Sequence, residues 1–159
     1  MDNAVVDDKV LCFSTGQYRW FVRLSDQVGL EPSVVVSPLF FLPQWCLGMS
    51  VVQGHVMGVV DLESLLGQVP PISVPEKAPL LVLKAPHKIS VRLTDLFGLQ
   101  NLSQFKQTSD YPLVHQVFGG AFLNPQQDVF YELNVSALNV LVEKESKQIG
   151  LDESRFSHA

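Results

Sequence analysis

Val56-Met57-Gly58-Val59-Val60-Asp61-Leu62-Glu63-Ser64-Leu65-Leu66 reads as an apolar strand, one short acidic residue, and the apolar periodicity of a helix. Val129-Phe130-Tyr131-Glu132-Leu133-Asn134-Val135-Ser136-Ala137-Leu138-Asn139 repeats that plan, without a gap, 73 residues later. Asp61 and Asn134 stand where a helix N-cap belongs, because a short side-chain oxygen can accept from the unpaired amides of a first turn. A strand-cap-helix unit occurring twice in one chain makes internal duplication the first structural expectation.

Working outward, the segments upstream of each unit also correspond. Val10 to Ser14, a Thr15-Gly16-Gln17 turn and Tyr18 to Leu24 read as a hairpin. In its second strand Tyr18, Trp20, Val22 and Leu24 share one face, and Arg19, Phe21 and Arg23 the other, the period of a half-buried strand. Leu80 to Ala85, a Pro86-His87 turn and Lys88 to Leu93 repeat the arrangement. Between the halves, Gln68 to Pro79 holds Pro70, Pro71, Pro75 and Pro79. Proline cannot donate to a ladder, so this stretch is expected to be an extended connector.

Short strands with turns every 8–12 residues or so indicate small sheets or barrels. A half of about 70 residues is too small to be comfortable alone. The expected fold is therefore mostly β: two small five-stranded, SH3-like barrels packed around a shared core, with short helices and a C-terminal helix. The expected boundaries are a single domain over 9–147, with the first barrel over about 9–67 plus the packing of the C-terminal helix. A linker over 68–79 and a second barrel over about 80–134 follow, and 1–8 and 148–159 are expected to be flexible tails. In the last helix, Ser136 to about Ser146, Leu138, Leu141 and Val142 point inward and Glu143 can pair with Lys147 at i,i+4.

Composition narrows the function. The chain has 159 residues, 47% hydrophobic and 17% charged, with a formal charge of −5. That excludes a disordered chain and disfavours a nucleic-acid binder, which needs excess Lys and Arg. Cys12 and Cys46 sit among apolar neighbours and read as buried packing thiols, with no disulfide framework or zinc set to join. The acidic N-terminus lacks a signal-peptide pattern, and the apolar run Val34 to Leu42 is broken by Ser37 and Pro38. It is far short of the ~20 residues that span a bilayer, so a cytoplasmic protein without membrane insertion is expected.

Catalytic and metal-binding patterns are missing as well. His55, His87, His115 and His158 never approach one another at ligand spacing. There is no Gly-x-Ser-x-Gly elbow, phosphate loop or dinucleotide glycine pattern. Asp7-Asp8 and Asp152-Glu153 read as solvated terminal acids. No enzyme activity, cofactor or metal is expected.

The informative absence is of charge. From Pro32 to Val60 there is no Asp, Glu, Lys or Arg in 29 residues, and a second gap runs from Tyr111 to Gln127. Such segments are either strands covered on both faces or a surface that another protein covers. The candidate partner-binding residues are Val34, Val36, Leu39, Phe40, Phe41, Gln53, Gly54 and His55. Gly48, Asp61 and Asn134 are expected to be structural, with Gly48 and Gly54 bracketing a strand and Gly54 supplying positive φ at a hairpin turn.

The segment from Leu42 to Leu62, with Pro43, Trp45, Gly48, Gly54 and Val59-Val60-Asp61-Leu62, resembles the central signature of the CheW-like family. That signature runs Pro, an aromatic, then Gly-Val-x-Asn-Leu-Arg-Gly-x-x-Val-Pro-Val-Val-Asp-Leu. Ser90 to Leu96 resembles the family loosely, and Val114 to Leu138 resembles its last hairpin and helix, so the likeness runs from Lys9 to Val142. The resemblance implies a non-catalytic adaptor of bacterial chemosensory arrays, joining the regulatory domain of a CheA-type histidine kinase to a chemoreceptor cytoplasmic tip. It implies barrel-to-barrel pairing with the kinase, and a receptor hairpin lying in an apolar groove between the barrels. The sequence departs from it where the family has Asn-Leu-Arg-Gly and this chain has Val51-Val52-Gln53-Gly54, Gln53 in place of Arg removing a charge-assisted contact, and where Gly58 stands in place of Pro. This divergence suggests a member of a type IV pilus, or twitching, chemosensory cluster. The alternative is a small β-barrel protein with an apolar ligand pocket.

Overall fold

The computed structural model describes residues 8–148 apart from 27, 40, 68–69, 72–75, 84–88 and 114. Eleven strands and two helices are described. The first half gives β1 (Lys9–Ser14), β2 (Arg19–Arg23), β3 (Val28–Val35), β4 (Cys46–Val52), β5 (His55–Val60) and α1 (Leu62–Gly67). The second gives β6 (Lys77–Leu83), β7 (Ile89–Arg92), β8 (Asp95–Asn101), β9 (Lys106–Thr108), β10 (Phe118–Leu123), β11 (Val129–Leu133) and α2 (Val135–Gln148).

The strands form two sheets, ordered β8-β1-β2-β11-β10-β9 and β3-β6-β7-β5-β4. Each sheet takes its central hairpin from one half of the chain and its flanking strands from the other. β5 pairs in parallel with β7, and β11 pairs in parallel with β2. Likewise β3 pairs with β6, and β8 with β1. The expected assignment of 9–67 to one barrel and 80–134 to the other is therefore corrected: the two repeats exchange strands reciprocally. The first sheet has the five expected strands plus a short sixth, β9.

The side chains explain the exchange. Val10 and Cys12 on β1, with Phe21 on β2, point into the first barrel against Phe105 and Phe130. Leu11, Phe13, Trp20 and Val22 point the other way, into the shared core with Leu81, Leu83, Val91, Leu133 and Leu138. The second hairpin does the same, with Ala78, Leu80 and Val82 inside the second barrel and Leu81 and Leu83 between the barrels. A hairpin apolar on both faces needs cover on both, which the other half supplies. Phe21 is thus fully buried, so the half-buried reading of this strand gives way to burial on both faces, while Leu24 ends exposed in a 3-10 turn.

The helix starts repeat in detail. Asp61 Oδ1 accepts the Ser64 amide at 3.0 Å, and Asn134 Oδ1 accepts the Ala137 amide at 3.0 Å. The Asp61 amide itself donates to Trp45 O and that of Asn134 to Val117 O. One residue into α1, Glu63 Oε2 accepts from Thr15 Oγ1 at 3.0 Å and from the amides of Gln17 and Tyr18. That carboxylate ties α1 to the β1–β2 turn, fixing one barrel against the other. On α2, Leu138 and Val142 are buried, and Lys147 Nζ lies 3.1 Å from Glu143 Oε1.

Several boundary expectations change. The connector ends earlier than expected, since β6 begins at Lys77 and includes Pro79. Its missing N–H is tolerated because β3 bulges opposite it, between Glu31 and Val34. Asp8 is held by the Leu102 amide and by Arg23, which corrects the expectation that it belongs to a flexible tail. Gln148 closes α2. The Pro86-His87 turn, His158, most of the linker and both termini (1–7, 149–159) lie outside the described residues. Among the described residues no helix is long and apolar enough to cross a membrane.

Candidate docking surface

The second barrel closes through one antiparallel bridge. Ser37 donates to Met49 O at 2.8 Å, and Met49 donates to Ser37 O at 3.0 Å. Gly48 makes this possible: a Cβ there would stand 2.3 Å from Ser37 O. Gly48 therefore sits inside β4, at a bulge, and admits a close backbone approach; the expectation that it brackets the strand is corrected. Gly54 does occupy the hairpin turn. Gln53 and Gly54 have φ of 52° and 82°, between the paired Val52 and His55. Positive φ at both central residues is what a two-residue type I′ turn requires.

This turn projects Gln53 to the surface. Gln53 Nε2 reaches Glu31 Oε2 on β3 at 3.4 Å, a neutral amide where a guanidinium could chelate the carboxylate. Gly54 and His55 beside it are exposed.

The other candidates separate by strand phase. Val36 is 4% exposed and lies inside the second barrel with Leu47, Met57 and Leu80, and Val34 packs partly buried against the same cluster. Val36 is therefore core, which corrects its assignment to the partner surface, while Val34 is half-buried and lines the recess along the β3–β4 seam. Leu39 is exposed and Phe41 fully so, at a φ of 67°, a region a bulky side chain seldom occupies. Phe40 lies outside the described residues.

Sequence reasoning placed Val51 in the turn that meets a partner but missed Val35 and Val56. Val51 and Val56, a cross-strand pair on β4 and β5, are each 64% exposed, and Val35 on β3 is exposed beside them. Alternation around the turn carried the signal: with Val52 and Met57 inward, Val51 and Val56 must face out. A second apolar group, Leu96, Phe97 and Leu99 on the edge strand β8, is exposed on the first barrel.

Asp61 and Arg92 are buried and paired at 2.7 Å, and no group of three or more metal-ligating side chains occurs among the described residues. Each barrel interior holds a cluster of buried side chains. Recesses occur along the β3–β4 seam (≈ 450 Å³), at the Gln53 mouth of the second barrel among Leu30, Val52, Met57 and Val82 (≈ 410 Å³), and beside α1 among Thr15, Asp61, Glu63 and Arg92 (≈ 470 Å³). The cysteines are reduced; Cys12 is fully buried, while Cys46 is only partly so, correcting its expected burial. Burial pushes both thiols up, Cys12 to about 11.

No family model matches the sequence, and no curated protein matches it. The fold is similar to the crystal structure of the scaffolding protein TtCheW from Thermoanaerobacter tengcongensis. The TM-score is 0.64 at 11% identity, and the superposition covers 80% of this chain and 84% of that one. At that identity the likeness bears on the fold: a mostly β, two-sheet architecture of the CheW type.

Proposed function

We propose that this protein is a non-catalytic chemosensory adaptor, a single CheW-like domain over 9–147 that couples a CheA-type histidine kinase to a chemoreceptor tip. The observation that carries the reading is the exposed, uncharged apolar face formed by Val35, Val51 and Val56 beside the Gln53–Gly54 turn. Exposed apolar side chains on adjoining strands gain most by covering one another with a partner surface. The fold's likeness to a protein described as a scaffold is consistent with it. The alternative, an apolar ligand pocket, would use the open recess at the mouth of the second barrel, lined by Leu30, Val52, Met57 and Val82.

In this reading the kinase's regulatory domain covers the second barrel through Leu39, Phe40, Phe41, Val51, Val56 and the turn Gln53, Gly54 and His55. The receptor hairpin takes the groove between the barrels. The protein works in the cytoplasm, recruited to membrane-associated arrays, and binds neither nucleic acid nor cofactor. The output is type IV pilus motility, as the divergence at Gln53 and Gly58 suggests.

The test is co-purification with the CheA-type regulatory domain of the same cell, using wild type and the Val51→Lys/Val56→Lys variant. Capture by wild type and its loss in the variant, at unchanged melting temperature, supports the adaptor. Absence of capture by the wild type would remove the reading. Twitching and swimming assays of a deletion strain separate pilus from flagellar output.

A further inference from the structure

Strand β8 is an open edge. It ends the six-stranded sheet, with β1 as its one strand partner among the described residues. Bonded and non-bonded pairs alternate along an antiparallel ladder, so the direction of each backbone group follows from a known bond. Thr15 donates to Tyr18 O, so Leu11 and Phe13 turn their backbone groups toward β2, and Val10 and Cys12 turn theirs toward β8. Leu102 donates to Asp8 O, which fixes the same phase from the β8 side. Gln100 and Gly98, opposite Val10 and Cys12, therefore bond to β1. Leu99 and Asn101 point their N–H and C=O groups away from β1, across the edge, and both residues are exposed.

The two repeats differ at this place. Leu96 and Leu99 lie opposite Phe13 and Leu11, as Val28 and Leu30 on β3 lie opposite Leu83 and Leu81. Val28 and Leu30 pack against the shared core, and the chain leaving β3 is bridged to β4 at Ser37 and Met49. Leu96 and Leu99 are 41% and 57% exposed, and among the described residues no second strand meets their edge. The strand also lacks the charges that usually guard an edge: between Asp95 and Lys106 there is none.

We propose that β8 pairs antiparallel with β8 of a second copy of this chain, about a twofold axis at Leu99. Leu99 then exchanges both backbone bonds with the partner's Leu99, the bonds that its place on β1 leaves unmade. Leu96 and Leu99 of the two copies share one apolar face, because directly opposed side chains point the same way. Such an isologous contact closes on itself at two copies. Charge decides the occupant and its direction. With a formal charge of −5, two copies repel at long range, and this uncharged strand lets their backbones meet without opposed carboxylates. Antiparallel pairing carries the Asp95 end of each strand toward the Lys106 end of the other, whereas parallel pairing sets like ends together. The inference goes beyond the adaptor reading and does not depend on it.

The experiment uses the isotopically labelled full chain. Pairing along one short strand makes a weak dimer, with an expected Kd of about 0.1 mM. Sedimentation from about 20 μM to about 1 mM should therefore show monomer passing to dimer. Over the same range the Leu99 amide should exchange about fivefold more slowly than in the dilute monomer, while amides elsewhere on the surface keep their rates. A chain still monomeric at about 1 mM would overturn the proposal. A dimer whose Leu99 amide exchanges at the monomer's rate would overturn it too.

Leu99→Lys sets two like charges against one another on the axis. The side chain is exposed, so this variant should melt with the dilute wild type and stay monomeric at both concentrations. Unchanged association in it counts against the proposal. If it does not fold, the wild-type exchange measurement decides. Capture of the kinase by a chain that stays monomeric removes the dimer and leaves the adaptor. A dimer protected at Leu99, without kinase capture, does the reverse.

Discussion

Arg92 Nη2 lies 2.7 Å from Asp61 Oδ2, and both side chains are buried where the end of β7 meets the start of α1. The other Asp61 oxygen caps α1 through the Ser64 amide. One carboxylate thus ends a strand, starts a helix and neutralises a cation from the other repeat. Asn134, at the equivalent place in the second repeat, caps without a charge, which marks the ion pair as an addition to the shared plan.

Breaking that pair from one side should be severe. Asp61→Ala removes the cap and strips Arg92 of its buried counter-charge, with an expected loss of about 3–5 kcal/mol. Asp61→Asn keeps a capping oxygen and should lose less. Adding Arg92→Leu to Asp61→Asn should recover part of the loss, because the uncompensated charge is then gone. Urea unfolding of the four proteins measures this; equal losses for Asp61→Ala and Asp61→Asn would show that the cap contributes nothing.

The two glycines of β4 and its turn should respond differently. At Gly48 a methyl group meets a backbone carbonyl at 2.3 Å, which no rotamer can relieve. Gly48→Ala should therefore cost more than about 2 kcal/mol and open the Ser37–Met49 bridge. At Gly54 there is open space but φ is 82°, so Gly54→Ala should cost about 1 kcal/mol. Gly54→Asn should cost less still, since asparagine tolerates that region. Thermal melts rank the three, and a Gly48→Ala protein as stable as wild type contradicts the closure described here.

Much of the local structure was legible in the sequence because its causes are local. Both helix caps, the β1–β2 hairpin and the Gly54 turn depend on residues within a few positions of one another. The strand exchange was not, because the β5–β7 and β11–β2 pairings join distant segments and no nearby residue distinguishes a strand's own hairpin from its repeat's. The exposed valine face was less legible, in a narrower way. Val34-Val35-Val36 is three identical residues, so a period of two exists without a phase, and only the pairing with β6 sets Val35 outward. Missing charge located the region; it could not say which side chains point out.

The Gln53–Glu31 contact offers a gain-of-contact test. Gln53→Arg places a guanidinium on a turn residue already within reach of the Glu31 carboxylate. The pair is exposed, so the expected stabilisation is no more than about 1 kcal/mol and should fade as salt is raised. If the same turn meets the kinase, affinity for its regulatory domain should change as well. Denaturation at low and high ionic strength, alongside the binding assay, separates the two effects, and a gain insensitive to salt would mean that the arginine acts by packing.

Cys12 gives a prediction in alkaline solution. The thiol is fully buried on the inward face of β1, and that burial raises its pKa from the ordinary 9.0 to about 11. The folded chain therefore holds the thiol proton more tightly than the unfolded chain does. Its contribution to stability is constant below about pH 9 and is lost as the pH rises through about 11. The unfolded chain ionises first across that window, which pulls the equilibrium toward it. With about 1.4 kcal/mol per unit, the loss is on the order of 2–3 kcal/mol. Cys12→Ala lacks this proton, so the stability gap between it and wild type should narrow by that amount between pH 9 and 11. Denaturant unfolding of both proteins across that range measures it, and a gap independent of pH would mean that water reaches the thiol in the folded state. The same burial predicts that iodoacetamide at pH 8 modifies Cys46, which is partly exposed, and leaves Cys12 intact until the chain is unfolded.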